Sequence, residues 1–297
     1  MQKTKKALSA LPKNVQLTFI TAASITLVIN ALYWISLMLR VYPSGMRFSH
    51  FSIMAVGQIL MPIILLAASF FIYKKSTTRF DHLFNSILLA LAGISIYQLV
   101  STVEWQLSRY QNISSSLVNM AWAPAVSMAV AFCVFAALLL ILSRRDNTVN
   151  HVRRLQITTL TLIGSAFIVG IVFNLYGLVS QYINRGDIVS LLIHPQLITP
   201  VILPVAFFLV AYLATPKISG RLSRLFTAAI YALIGAMIIW ITTMIFSIGV
   251  WALSASDFAA LHAIGLPTIT ATVISLAVYT FLIITHNRST KATKKSK

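Results

Sequence analysis

The chain has 297 residues, of which 58% are apolar and only 9% charged, and its net charge is +18. Water-soluble domains carry about 45–50% apolar and about 25% charged residues, so this chain lacks the polar side chains to cover a water-facing surface. Its acids are Asp81, Glu104, Asp146, Asp187 and Asp257 alone.

The positive excess does not point to nucleic acid, because the basic residues are scattered over short segments instead of lying on one domain. Anionic headgroups of the inner leaflet are the expected partner, at about 1 kcal/mol per Lys or Arg near the surface. Cys133 is the only cysteine, which excludes an intrachain disulfide, a CxxC redox pair and a zinc–thiolate site.

Lys3, Lys5, Lys6 and Lys13 precede the first apolar run and imitate a secretion signal. The run from Val15 to Leu39 is too long for that and lacks a small-residue cleavage site, so it reads as a retained transmembrane helix. About 20 apolar residues cross the hydrocarbon at 1.5 Å per residue. Eight stretches qualify, near 16–39, 52–73, 84–104, 119–142, 157–180, 193–214, 225–251 and 264–285. The expected fold is all-α and integral to the membrane.

An even number of crossings puts both termini on one side. The segments on that side hold 19 of the 23 basic residues, and the other side keeps Arg40, Arg47, Arg109 and Arg185. The positive-inside rule then makes both termini cytoplasmic, with the cell membrane as the expected location. Trp34, Trp105, Trp122 and Trp251 fall near the outer ends of their spans, where an interfacial aromatic belt places them.

The chain also repeats itself. Arg79–Gly93 (RFDHLFNSILLALAG) matches Arg221–Gly235 (RLSRLFTAAIYALIG) at a shift of 142. Gln58 and Pro62 match Gln196 and Pro200 at 138, Pro124 matches Pro267 at 143, and Gln16-Leu-Thr matches Gln156-Ile-Thr at 140. Four matches in order at nearly one offset predict a fused duplication. The expected organisation is a basic N-terminus (1–15), a four-helix repeat (16–145), a basic linker (146–154), a second repeat (155–286) and a basic tail (287–297). Two copies with an even number of spans share one topology, which predicts parallel repeats.

Proline lacks an N–H and clashes with the carbonyl four residues earlier, so Pro62 and Pro200 kink their helices and free the carbonyls of Gln58 and Gln196. Pro204 adds a second break in span six. Polar groups left unpaired in hydrocarbon cost several kcal/mol, so other groups must answer them. Candidates at similar depth are Asn30 and Tyr33 in span one, Asn174 and Tyr176 in span five, and Gln98 and Glu104 in span three. Two readings follow: a ligand pocket opening outward between the repeats, or hydrogen bonds that only hold the helices together. Glu104 has no counterpart in span seven, where Phe246 stands, and is the candidate for a proton or cation role.

His50, His194 and His262 lie at the outer ends of spans two, six and eight. Eight spans in two four-helix units with outer-side histidines resemble the architecture of the haem A synthases. Those enzymes carry such a His in every even-numbered span, typically with a Glu three residues before it in each half. Here span four has no His, and Arg47 and Leu191 stand three before His50 and His194. The resemblance covers topology and no specific motif, and implies haem ligation by His50, His194 and His262 as an alternative.

There is no Gly-rich phosphate loop, HExxH, GxSxG or pair of close carboxylates within a span. No cofactor or metal is expected. The leading expectation is non-enzymatic: binding or translocating a small apolar or amphiphilic molecule at Gln58 and Gln196. The alternatives are a structural or accessory membrane protein, and a membrane oxidoreductase using haem.

Overall fold

The computed structural model describes residues 11–41, 48–73, 78–110, 117–143, 148–183, 202–215, 220–250 and 266–295. Among them are eight helices and no strand. These are α1 (Lys13–Val41), α2 (Phe48–Ile72), α3 (Arg79–Tyr110) and α4 (Leu117–Ser143). There follow α5 (Thr148–Ile183), α6 (Leu203–Ala214), α7 (Arg221–Val250) and α8 (Leu266–Lys295).

Among the described residues, five stretches are long and apolar enough to cross a membrane: Lys13–Leu39, Arg79–Val103, Ala125–Ser143, Val152–Phe173 and Arg221–Phe246. Shorter apolar helices cover Gly57–Ile72, Leu203–Ala214 and Ile269–Thr285. Their outer faces are apolar too. Leu39 and Phe71 are each 70% exposed and Leu213 71%, a surface that suits lipid and not water. The chain is a multi-pass membrane protein.

Two compact units divide it. One is Asn30–Val169; the other joins Met1–Ile29 to Gly170–Lys297. The boundaries fall inside α1 and inside α5, so each of these helices gives one part to each unit.

In the α2–α4 unit, every pair of the three helices packs together. One buried cluster joins Met61 and Leu65 of α2, Leu89 and Ile96 of α3, Phe135 and Leu139 of α4, and Leu155 of α5. Close approach depends on Gly93: a Cβ there would stand 2.9 Å from the Phe135 ring and 3.0 Å from Leu65. The start of α3 is capped by Thr78. Its hydroxyl accepts the Asp81 N–H at 3.1 Å and donates to the Asp81 carboxylate at 2.7 Å, which satisfies a donor that the first turn leaves open. One turn further in, the His82 ring Nε2–H donates to the Phe70 carbonyl at 2.8 Å, and the two rings lie 4.5 Å apart. That bond closes an orphan carbonyl at the end of α2.

In the α6–α8 unit, α7 packs against both α6 and α8. The buried face of α6 is Leu203, Phe207 and Ala211, spaced four apart. Gly235 permits the contact with α7, since a Cβ there would stand 2.5 Å from the Phe207 ring. Phe207 also meets Tyr279 of α8 at 4.2 Å between ring centroids, and the Tyr279 hydroxyl donates to the Phe207 carbonyl at 2.7 Å. Thr242 and Ser275 link α7 to α8 through their hydroxyls at 3.0 Å. The chain enters α7 through Gly220, whose φ of +101° lies in the region that side-chain-bearing residues avoid. Arg224 then reaches back to α6. Its guanidinium donates twice to the Tyr212 carbonyl, at 3.1 and 2.7 Å, and lies 3.9 Å from the Tyr212 ring centroid.

Candidate functional site

The proline argument singles out the Gln58 carbonyl as a freed acceptor in α2, where Pro62 lies inside the helix. That acceptor is answered. Asn30 Nδ2 of α1 donates to Gln58 O at 2.9 Å, and both side chains are half-buried. Two of the residues read from the sequence as one polar group are therefore brought together, in the α2–α4 unit. The partner is the backbone of Gln58 and not its amide.

The other candidates of that polar group stand as follows. Tyr33 is half-buried and meets Trp34 edge-on at 5.9 Å, while its carbonyl accepts from Ser36 Oγ at 2.7 Å. Gln98 is exposed on α3, and its carbonyl accepts from Ser101 at 3.1 Å and Thr102 at 2.6 Å. Tyr176 on α5 is exposed. Pro204 falls in the first turn of α6, where a missing N–H costs nothing because that turn has no partner for it. The side chains of Glu104 and Asn174, and of His50, lie outside the described residues, as do Gln196, Pro200, His194 and His262 altogether. Among the described residues no group of three or more His, Cys, Asp or Glu is placed to hold a metal.

A second feature was not anticipated from the sequence. A cavity of about 240 Å³ lies in the α6–α8 unit, with Asn14, Val15 and Thr18 of α1 forming one wall. Tyr231 and Ile234 of α7 and Tyr279, Leu282 and Thr285 of α8 form the others. Along α8 it runs six residues, from Tyr279 to Thr285, or about 9 Å of rise. Its rim is at the end of the unit where α1 begins and α7 starts at Arg221.

Most of the hydroxyl protons in this wall are already committed. Thr18 donates to Asn14 O at 2.9 Å, Thr285 to Phe281 O at 2.9 Å, and Tyr279 to Phe207 O at 2.7 Å. Rings and methyl groups face the space, with the exposed Asn14 amide at the rim. The one sequence signal for this site lies inside the matched segments. Leu89 and Ala92 of the first correspond to Tyr231 and Ile234 of the second, so the two segments differ where the wall is built.

Comparison with known protein families, curated proteins and solved structures finds no match for this chain.

Proposed function

We propose that the protein is a duplicated four-helix membrane unit with eight crossings and cytoplasmic termini, and that it binds a small amphiphilic molecule drawn from the bilayer. The cavity in the α6–α8 unit carries this reading. At about 240 Å³ it exceeds the roughly 150 Å³ of an engineered apolar cavity that accepts benzene, and falls short of the roughly 300 Å³ at which whole-ligand pockets begin. It suits part of a molecule whose remainder lies outside.

The duplication is supported by paired contacts. Phe70 and Tyr212 are 142 positions apart, as are His82 and Arg224, and each pair joins a ring nitrogen or guanidinium to the aromatic residue's carbonyl. Gly93 and Gly235 bear the same relation to Leu65 and Phe207, at the same shift. In α4 and α8 the buried residues Ser127, Ala131 and Phe135 fall on Ala271, Ser275 and Tyr279 at a shift of 144, one more than the shift that matches Pro124 to Pro267. Residues 1–29 belong with the α6–α8 unit and residues 148–169 with the α2–α4 unit, so the leading part of each copy's first helix serves the other copy.

The test is lipid extraction and mass spectrometry of the purified full chain. The expected result is an amphiphile retained in stoichiometric amount through detergent exchange. Protein that emerges bare overturns the reading. It would favour the accessory alternative, which already has one observation behind it: the Asn30–Gln58 bond ties α1 to α2 without needing a ligand.

A further inference from the structure

We infer that the cavity of the α6–α8 unit holds one acyl chain of an anionic phospholipid, with the phosphate at the rim beside Asn14 and Lys13. This rests on the reading that the cavity binds an amphiphile, and it names the class.

Two features choose the tail. The space is walled by Val15, Ile234 and Leu282 with the rings of Tyr231 and Tyr279, and the protons of Thr18, Thr285 and Tyr279 are spent on backbone carbonyls. A polar molecule would enter such a space at the cost of its own hydration with few donors to replace it. A hydrocarbon chain loses nothing. The length of the wall, about 9 Å along α8, takes a segment of a chain and leaves the rest in the bilayer.

The rim chooses the head. Lys13 opens α1, is exposed, and immediately precedes Asn14. No carboxylate is found among the described residues of this unit, because Asp187 and Asp257 lie outside them and the remaining acids belong to the α2–α4 unit. The Asn14 amide supplies a donor for a phosphate or glycerol oxygen, and Lys13 supplies charge. A Lys or Arg near an anionic headgroup contributes about a factor of five in affinity.

The matched position in the other unit is filled. Leu89, Phe135 and Leu155 correspond to Tyr231, Tyr279 and Val15, and they share one buried cluster. The site is thus built in one copy only, which predicts one lipid per chain.

The full-length protein in detergent is titrated with phosphatidylglycerol, phosphatidylcholine and oleate, and bound species are counted by native mass spectrometry. The expected result is one tightly held phosphatidylglycerol, about fivefold preferred over phosphatidylcholine. Ile234→Trp fills the cavity and should remove the tight species. Leu282→Trp fills it from the other wall, so a folding failure in one variant leaves the other to decide, with the thermal midpoint reporting integrity. Lys13→Gln should bring the preference close to one while chain binding persists. Equal retention of the two phospholipids, or oleate outcompeting both, overturns the anionic-phospholipid assignment but leaves the amphiphile reading standing. Tryptophan variants that fold and bind normally overturn the cavity as the site. No bound species of any kind overturns both readings together.

Discussion

The α2–α4 and α6–α8 units each gather three helices, and their interiors differ. In the first, Leu89, Phe135 and Leu155 are buried in a single apolar cluster. In the second, the residues set against them are Tyr231, Tyr279 and Val15, which are buried too but line the cavity. Val15 is smaller than Leu155, but Tyr231 is larger than Leu89, so size alone does not open the space. A phenol in hydrocarbon must give its proton to an acceptor, and Tyr279 gives it to Phe207 O, holding its ring 4.2 Å from that of Phe207. Phe135 carries no such obligation and settles where packing is densest, fully buried against Gly93. A polar atom on a packing face fixes the side chain's position first, and the space around it follows.

The comparison breaks most sharply at Phe207. Replacing it with alanine removes the ring that faces Gly235 and meets the Tyr279 ring at a tilt of 42°. Phe→Ala in a water-soluble core costs about 3–5 kcal/mol. Lipid is as apolar as the interior, so the transfer share of that cost shrinks and about 2–3 kcal/mol is expected here. Hydrogen exchange should rise across α6–α8 while α2–α4 stay protected. Uniform loosening would mean that the two units do not behave as separate packing bodies.

The ties from α3 back to α2 and from α7 back to α6 come next. Arg224→Ala removes two hydrogen bonds to Tyr212 O and a cation–π contact, at about 1–2 kcal/mol. His82→Ala removes one bond and should cost about 1 kcal/mol. The exchange His82→Arg with Arg224→His tests whether the two places are equivalent. Thermal unfolding of the double variant should fall within about 0.5 kcal/mol of the parent, and a larger loss would separate the two ties.

How much of this was legible beforehand depended on what each signal needs. The helices and their apolar outer faces follow from composition along the chain, since about 20 apolar residues have few alternatives in a bilayer. The Gln58 carbonyl was legible as a freed acceptor because Pro62 acts on its own helix, within four residues. Asn30, named from its depth among several candidates, is the group that answers it, but depth alone did not single it out from the others. The cavity was not legible at all. It depends on residues from three helices far apart in the chain, and on hydroxyls whose commitments are visible only in three dimensions. The matched segments held the hint, in Leu89 set against Tyr231, but leucine against tyrosine reads as ordinary drift until the walls are assembled.

Asn30 and Gln58 separate glue from ligand site. Asn30→Leu deletes the donor and should cost about 0.6 kcal/mol, the average for a hydrogen bond between membrane helices, and at most about 1.7. Gln58→Leu leaves the carbonyl and its bond intact and should barely move the thermal midpoint. If Gln58→Leu instead changes lipid retention, its amide has a ligand role that the tie to Asn30 does not account for.

The smallest effect is the most specific to the comparison. Tyr279→Phe makes the α6–α8 unit resemble its counterpart, where Phe135 stands. Phe207 O retains its second lone pair for the α6 helix, so losing the phenol proton strands no acceptor, and the cost should be about 0.5 kcal/mol. Freed from the carbonyl, the ring gains the option that Phe135 takes, packing into the available space. If the hydroxyl is what keeps the cavity open, this nearly silent substitution should lower retention of phosphatidylglycerol severalfold. Retention unchanged in Tyr279→Phe would mean that the space is set by Tyr231 and α1 instead, and that the phenol bond only ties α8 to α6.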